Sequence, residues 1–262
     1  MKGALLFAFN NPTVDYFEMA NYTAKRINRF LGIPASVVTD DNTDLSKYQH
    51  SFDKIFIQDS DKSNIKDNQV WINKGRYKAF DITPYDETLV IDTDYMVNSN
   101  RLLSVFDMYA DFMCHDTTGH LFYPKLPLEK VSANSFRTLW ATVMFFKRTN
   151  RVKQMFDCMK MVQENYMHYV NLYNMTNTMF RNDYALTIAL RTVNGQTERK
   201  EDYIPWKLKH ITPDITIHRL EDTKYIAFKD TNIRGKSRTG YCYLNDTDFH
   251  CLDKKTFMRL YD

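Results

Sequence analysis

The feature that most constrains the fold of this chain is an acidic triplet directly after an apolar, β-branched run. Residues 88–91 (TLVI) are too few for a helix and suit a buried strand. Asp92, Thr93 and Asp94 come next, and a second strand-like segment follows at 95–97. We therefore expect both carboxylates at the carboxyl edge of a sheet, where parallel strands bind their ligands. Two carboxylates there can hold a hard divalent cation, and the cation can hold a diphosphate.

Two further Asp-X-Asp triplets, at 59–61 and 246–248, are less informative. Aspartate is common in turns, because its side chain bonds nearby backbone amides. The triplet at 59–61 runs into a polar stretch that is typical of an exposed loop. Only Asp92 and Asp94 lie between apolar segments, where an uncompensated carboxylate would be costly.

Length and composition predict one folded domain in the cytoplasm, or in the host cytoplasm for a viral protein. A chain of 262 residues is long enough for a sizeable core. No apolar run approaches the ~18 residues of a membrane span, and the N-terminus lacks the pattern of a signal peptide. The four cysteines have no metal-type spacing and are expected to be reduced thiols.

The order of predicted elements indicates an α/β fold. Apolar runs predict strands at 3–9, 35–39, 54–58, 88–91, 111–116 and 139–147. Apolar spacing predicts helices at 13–31, 74–80, 102–109, 151–164 and 184–190, with Thr13 as the first N-cap and Gly32 after its end. Residues 205–262 are expected to be strands and loops. This alternation implies a mainly parallel central sheet flanked by helices.

Three segments resemble nucleotide-sugar glycosyltransferases with the GT-A fold. NKGRYKAFDITPYDETLVIDTDYMV (73–97) resembles the pattern in which a basic helix and a Pro-Tyr-Asp turn lead into a metal-binding Asp-X-Asp strand. FRNDYALTIAL (180–190) is similar to the acidic motif of the helix under the acceptor site. TDFHCLDKK (247–255) resembles a C-terminal segment with a His and a Lys. The similarity is closest to family-8-like and phage-type transferases, although the closing motif His-x-x-Gly-x-x-Lys-Pro-Trp of family 8 is absent.

The resemblance implies a metal-dependent enzyme that moves a sugar from a nucleoside diphosphate sugar, with a UDP-sugar expected, to an acceptor hydroxyl. It implies a nucleotide-binding half at 1–100 and an acceptor-binding half at 101–262 with a C-terminal closing segment. Mn²⁺ or Mg²⁺ would be bound by Asp94 and His250, with Asp92 either a further ligand or a partner of the ribose and of metal-bound water. His115 is the competing histidine.

Further site residues follow from the same resemblance. The basic helix carries Lys74, Arg76 and Lys78, one of which could neutralise phosphate or bridge to the acidic pair. Lys254 and Lys255 could close over the diphosphate with His250. The base and ribose are expected at Phe9, Asn10 and Asp40. Asp183 would be the general base of an inverting enzyme, or would orient the acceptor in a retaining one. Trp140 would form the floor of the sugar pocket.

Each of these assignments has a plainer alternative. The basic helix could be a solvated face, and Asn10 and Asp40 could serve only turns. Asp183 also has the position of a helix cap. His250 could be a surface or core histidine, and Trp140 a core residue.

The acceptor stays open at the level of sequence. Basic residues cluster along the later chain, with aromatic residues interleaved: Lys147, Arg148, Arg151, Lys153, Lys207, Lys209, His210, Arg234, Lys236 and Arg238. Such a surface could follow a phosphate backbone and stack a flipped base, so DNA with hydroxymethylated bases is one expected acceptor. A carbohydrate, lipid-linked or protein acceptor is equally compatible.

Two other functional classes are compatible with parts of the sequence. A nucleotidyltransferase that makes nucleotide sugars would share the sheet, but the first loop, Asn10-Asn11-Pro12, lacks the expected glycines. A non-catalytic nucleic-acid-binding module would explain the basic clusters and leave the acidic strand end unexplained.

Overall fold

The computed structural model describes residues 1–66, 69–122, 129–233 and 236–261. Its strands are β1 (Lys2–Phe7), β2 (Ala35–Thr39), β3 (Ile55–Ile57), β4 (Ile65–Lys66), β5 (Gln69–Val70), β6 (Glu87–Ile91), β7 (Tyr95–Met96), β8 (Phe112–His115), β9 (Thr118–His120), β10 (Trp140–Lys147), β11 (Leu208–Ile211), β12 (Thr216–Arg219), β13 (Lys224–Ile233), β14 (Lys236–Asn245) and β15 (Phe249–Cys251). The α-helices are α1 (Tyr16–Leu31), α2 (Ala79–Ile82), α3 (Asn150–Glu164), α4 (Tyr166–Leu172), α5 (Asn182–Val193) and α6 (Lys254–Tyr261). Short 3₁₀ helices span Gln49–Ser51, Lys74–Lys78, Arg101–Asp107 and Lys200–Asp202.

The central sheet has six strands in the order β3-β2-β1-β6-β10-β8. β3, β2, β1 and β6 run parallel to one another, and β10 runs antiparallel to both β6 and β8. Both faces are covered, because Leu6 packs in one core cluster with α1 and Leu5 in another with α3 and α5. Burial on both faces explains why these strands are continuous apolar runs. The predicted α/β class, a mainly parallel sheet flanked by helices, is confirmed.

The first helix begins later than predicted. Thr13 is not its N-cap, because its hydroxyl bonds Oδ1 of Asn11 (3.0 Å) in a turn that precedes the helix. Asp15 is the cap, and its side chain accepts from the backbone N–H of Glu18 (2.9 Å). The predicted end is confirmed, since Gly32 adopts the left-handed conformation with φ of 62°.

The C-terminal region contains a helix that the sequence-based prediction missed. Residues 205–262 do form mainly strands, in a four-stranded sheet of order β7-β15-β11-β9 and a three-stranded sheet of β12, β13 and β14. The missed helix is α6, which buries Phe257 and Leu260 and packs Phe257 edge-on against Tyr22 of α1 (5.8 Å between ring centroids). Its signal was the cap Asp253, whose side chain accepts from the N–H of Thr256 (3.1 Å).

All four cysteines lie in the described ranges and are free thiols, and Cys114, Cys158 and Cys251 are buried. Among the helices of the described ranges, none has both the length and the apolar character to cross a membrane.

Candidate metal centre

The acidic triplet lies at the carboxyl end of β6, as predicted. The backbone N–H of Asp92 donates to the carbonyl of Thr142 on β10 (2.9 Å), and the N–H of Tyr95 donates to the carbonyl of Asp92 (3.0 Å). This turn leads into β7, which pairs antiparallel with β15 and brings His250 opposite Tyr95. The triplet therefore meets a segment from the other end of the chain.

Three side chains converge with the geometry of a metal-binding group. The ligand atoms of Asp92, Asp94 and His250 all lie within 4.8 Å of one another. Nε2 of His250 is 3.1 Å from Oδ2 of Asp94, and Nδ1 is 3.5 Å from the hydroxyl of Thr142. Carboxylate oxygens suit both Mg²⁺ and Mn²⁺, and imidazole suits transition metals. The donor set fits a divalent cation.

The two carboxylates are paired with different cations. Asp92 forms an ion pair with Arg76, whose other terminal nitrogen donates to the carbonyl of Ala141 (2.8 Å). Oδ2 of Asp94 accepts from Lys254 as well as facing His250. Each ion pair is partly shielded from solvent, which strengthens it relative to an exposed pair.

The pKa values of the two acidic groups shift in opposite directions. Burial raises the pKa of the Asp92 carboxyl, and the ion pair with Arg76 opposes that shift. Burial also opposes ionisation of Asp94, but the charges of His250 and Lys254 outweigh it and hold the pKa of this carboxyl below its ordinary value. Asp94 is therefore ionised, the form in which a carboxylate binds metals.

The group of Asp92, Asp94 and His250 lies in a cleft of about 510 Å³, within the size range of small-molecule sites. Its walls come from the ends of β1 and β6, the segment around 70–76, the residues before and at the start of α5, and the start of α6. The lining residues are Phe7, Phe9, Asn11, Tyr16, Val70, Trp71, Ile72, Asn73, Gly75, Arg76, Asp92, Thr93, Asp94, Trp140, Thr142, Asn177, Met179, Phe180, Arg181, Asn182, Asp183, His250, Leu252 and Lys254.

Asp183 lines the cleft from the first turn of α5. Its Oδ1 accepts from the backbone N–H of Ala141 (2.9 Å), and its Oδ2 accepts from Arg181 (3.1 Å). These contacts join α5 to the start of β10, where the pairing with β8 shifts register between Trp140 and Met144. Such irregularities re-aim backbone groups beside active sites. The carboxylate is thus oriented by the backbone at the start of β10 and by Arg181, which directly precedes α5.

The residues assigned to the base and ribose are only partly in the cleft. Phe9 lines it and is 6% exposed. Asn10 is not among the lining residues, and its side chain accepts from the N–H of Phe17 (2.9 Å). Asp40 is buried and accepts from the hydroxyl of Thr43 (3.1 Å). Within the described chain, the nucleotide-binding assignment of Asn10 and Asp40 stays a prediction.

Of the three basic residues at 74–78, Arg76 is the one that lines the cleft. Lys74 bonds the hydroxyl of Ser63 and lies 3.5 Å from Asp61, and Nζ of Lys78 lies 6.0 Å from the ring centroid of Tyr77. The segment is a 3₁₀ helix of three residues per turn, so positions four apart do not share a face as they would in an α-helix. The roles of Lys74 and Lys78 at phosphate stay predictions.

Tyr16 and Arg181 are two charged or ionisable residues of the cleft that the sequence analysis missed. Tyr16 opens α1, and burial raises the pKa of its phenol. Arg181 pairs with both Asp183 and Glu129. The available signals were an aromatic residue at the first helix start and an arginine directly before the Asn-Asp pair of α5.

The competing histidine lies outside the metal-binding group. His115 is fully buried on β8, and its ring centroid lies 6.4 Å from that of Trp206. Burial, aided by the charge of Arg101, lowers the pKa of His115 to about 3. Neither ring nitrogen has a hydrogen-bond partner among the described residues.

The earlier basic cluster is bonded within the protein. Lys147 donates to the carbonyl of Met108 (3.0 Å), Arg148 to that of Thr83 (2.6 Å), Arg151 to Asp111 and Asp202, and Lys153 to Asp157 (2.9 Å).

The later basic cluster is mixed in its exposure. Lys207 and Arg238 are exposed, Lys209 is half-buried and His210 is buried. Arg234 lies outside the described residues, as does the side chain of Lys236. None of the described members of either cluster lines the cleft.

Comparisons with known proteins give structural likenesses at low sequence identity. No family model matches the chain, and no curated protein matches it. The glycosyltransferase GlyE of Streptococcus pneumoniae is similar over 78% of this chain and 44% of its own, with 12% identity and a TM-score of 0.45. The galactosyltransferase LgtC, solved with donor and acceptor sugar analogs, is similar over 72% and 70%, with 14% identity and a TM-score of 0.48. Mouse xyloside xylosyltransferase 1 is similar over 78% and 84%, with 10% identity and a TM-score of 0.46.

The chain spans less than half of the GlyE chain it matches. At TM-scores below 0.5 these likenesses assign no residue and no substrate to this protein. The site is defined by its own contacts.

Proposed function

We propose that this protein is a metal-dependent glycosyltransferase that moves a sugar from a nucleoside diphosphate sugar, with a UDP-sugar expected, to an acceptor hydroxyl. The observation that carries the proposal is the convergence of Asp92, Asp94 and His250 in a cleft at the carboxyl end of a parallel strand. Ligands bind to α/β sheets at this edge. The resemblance of segments 73–97, 180–190 and 247–255 to GT-A enzymes supports the same reading.

Asp92, Asp94 and His250 would hold Mn²⁺ or Mg²⁺. Bound there, the ion supplies Lewis-acid stabilisation of the departing diphosphate. Arg76 orients Asp92 while it is itself held by the carbonyl of Ala141. Outer contacts of this kind preserve the geometry of metal ligands.

The chain's own groups complete the donor site. Lys254 lines the cleft beside Asp94 and is the proposed cation for the diphosphate. Phe9 supplies a ring against which a base could stack. Tyr16 lies close enough to Lys254 and the two carboxylates for their charges to affect its pKa. The division into a nucleotide half at 1–100 and an acceptor half at 101–262 belongs to this proposal.

Asp183 is the proposed residue at the acceptor. The N–H of Ala141 and the guanidinium of Arg181 fix the direction of its carboxylate in the cleft. In an inverting reaction it would take the proton of the attacking hydroxyl, and in a retaining one it would orient the acceptor.

The lining of the cleft favours an acceptor with little charge, such as a carbohydrate, over DNA. The lining contains apolar side chains together with asparagine amides; the apolar ones are Trp71, Ile72, Met179 and Phe180. The cation on this side, Arg181, is already paired with two carboxylates. A polyanion would need free cations here, and the basic cluster at 147–153 is bonded internally.

The proposal is tested by incubating candidate acceptors with a panel of nucleoside diphosphate sugars and following their mass. We expect one acceptor to gain the mass of a glycosyl residue in the presence of Mn²⁺, and no gain with the Asp94→Asn variant. Absence of both transfer and metal-dependent UDP binding would refute the proposal. Salt-sensitive DNA binding without nucleotide binding would instead favour a nucleic-acid-binding module.

A further inference from the structure

One oxygen of the proposed metal centre is approached by two nitrogen-bearing side chains of the protein. Oδ2 of Asp94 accepts from Nζ of Lys254 and faces Nε2 of His250 at 3.1 Å. Asp94 is 5% exposed, so its side chain is largely covered by the surrounding protein. A metal ion that binds this oxygen together with His250 would compete for it with the Lys254 ammonium.

We propose that Lys254 is an exchangeable counter-cation, which neutralises Asp94 until a divalent ion displaces it and then moves to the diphosphate. The inference rests on the metal centre proposed above. It makes metal binding and diphosphate binding cooperative, because the metal frees the very ammonium that the diphosphate then binds. A site that must first release a competing group shows a reduced apparent affinity, and a second ligand that stabilises the released form restores it.

The exchange requires a side-chain movement only. Lys254 is the first residue of α6, and the helix start is held by Asp253, whose side chain accepts from the N–H and the hydroxyl of Thr256. Phe257 and Leu260 are buried against the rest of the protein. The backbone of Lys254 is therefore anchored, while its flexible four-carbon stem lets the ammonium move within the cleft it lines.

Arg76, the cation beside Asp92 in the same cleft, has two partners and is therefore fixed in place. Its guanidinium bonds both Asp92 and the carbonyl of Ala141, so a metal at Asp92 leaves it with a second partner. For Lys254, the described part of the chain offers one hydrogen-bond partner, Asp94. Lys254 is thus the cation that metal binding releases.

The test measures Mn²⁺ binding by calorimetry and by the electron paramagnetic resonance of free Mn²⁺, without nucleotide. Lys254→Met should bind Mn²⁺ about ten- to hundredfold more tightly than wild type, the usual worth of a hydrogen bond to a charged group. Lys25→Met, at an exposed lysine of α1, removes the same charge away from the cleft and should change the affinity by less than about twofold. At saturating Mn²⁺, UDP should bind Lys254→Met at least about tenfold more weakly than wild type.

Lys254→Gln provides a second variant, because it keeps a hydrogen-bond donor but loses the charge. Melting temperatures verify that each variant is folded. If wild type binds Mn²⁺ and both Lys254 variants bind it equally or more weakly, the exchange is refuted and the metal centre is retained. Absence of Mn²⁺ binding in every form, with and without UDP, would overturn the metal centre and the exchange with it.

Discussion

Asp92 and Asp94 are separated by one residue, but a nearby segment supplies the partner of Asp92 and the C-terminal region supplies those of Asp94. Asp92 pairs with Arg76, 16 positions earlier, and Arg76 is anchored in addition on Ala141. Asp94 meets His250 and Lys254, 156 and 160 positions later. The contacts of Asp92 therefore lie within the central sheet and the segment that precedes it. The Asp94 side exists only once β15 has paired with β7.

The difference has a functional consequence. A carboxylate held by an anchored arginine keeps its direction whatever binds beside it. A carboxylate held by a histidine and a flexible lysine can exchange partners. We therefore expect substitutions on the Asp94 side to change metal and nucleotide binding most, and those on the Asp92 side to act through orientation.

The largest effect is predicted at Asp94 itself. Asp94→Asn removes the ionised ligand that His250 and Lys254 surround, so Mn²⁺-dependent UDP affinity should fall by more than about 100-fold, beyond the usual loss for an outer-shell contact. Calorimetry with UDP and Mn²⁺ measures it, and circular dichroism should show a retained fold. Asp61→Asn, in an exposed triplet of the same type, is the matched control. Wild-type affinity in Asp94→Asn, or UDP binding unchanged by EDTA, would contradict the prediction.

The second effect separates catalysis from binding at Asp183. Asp183→Asn keeps an acceptor for the N–H of Ala141 but loses the charge. Turnover should fall by about 10²–10⁴-fold, the scale for a positioned base, while UDP affinity stays near wild type. Asp183→Ala, which also removes the acceptor, should cost about 1–3 kcal/mol of unfolding free energy in addition.

Turnover, UDP affinity and melting temperature are measured on one preparation of each Asp183 variant. Nearly normal turnover in Asp183→Asn, combined with lost stability in Asp183→Ala, would make Asp183 a purely structural residue. The link between α5 and β10 would then be its whole role.

The smallest effect is predicted on the Asp92 side. Arg76→Met leaves all three proposed ligands in place and removes the group that orients one of them, so Mn²⁺-dependent UDP affinity should fall by about 10–100-fold. Titration of UDP at fixed Mn²⁺ gives this value. Lys78→Met is the informative comparison, since a loss there with none at Arg76→Met would favour Lys78 among the three basic residues that the sequence offered for phosphate.

Parts of the site were predictable because their signals are local. The strand at 35–39 and the strand that precedes Asp92 follow from short apolar runs, and these are buried on both faces as such runs require. Gly32 ended α1 for an equally local reason. The grouping of His250 with the acidic pair was suggested by a resemblance, and the geometry brings those residues together.

Other parts were not predictable, because they depend on contacts made far away. Helix α6 is only eight residues long. Its Phe257 packs against Tyr22 of α1, a residue that is far away in the sequence. At 74–78 the basic pattern fitted an α-helix with Lys74 and Lys78 on one face, whereas the 3₁₀ geometry directs Arg76 to Asp92.

The sequence by itself determined the α/β class, the position of the acidic triplet at a strand end and the list of polar groups available to a metal site. These depend on hydrophobic periodicity and on residues next to one another, which act over a few positions. Only the tertiary structure decided which cation pairs with which carboxylate, that the Ala141 N–H bonds Asp183, and that Lys254 and His250 meet at one oxygen of Asp94. Those choices depend on strand register and on the course of the chain over more than a hundred residues, and local sequence does not encode the distance between residues so far apart.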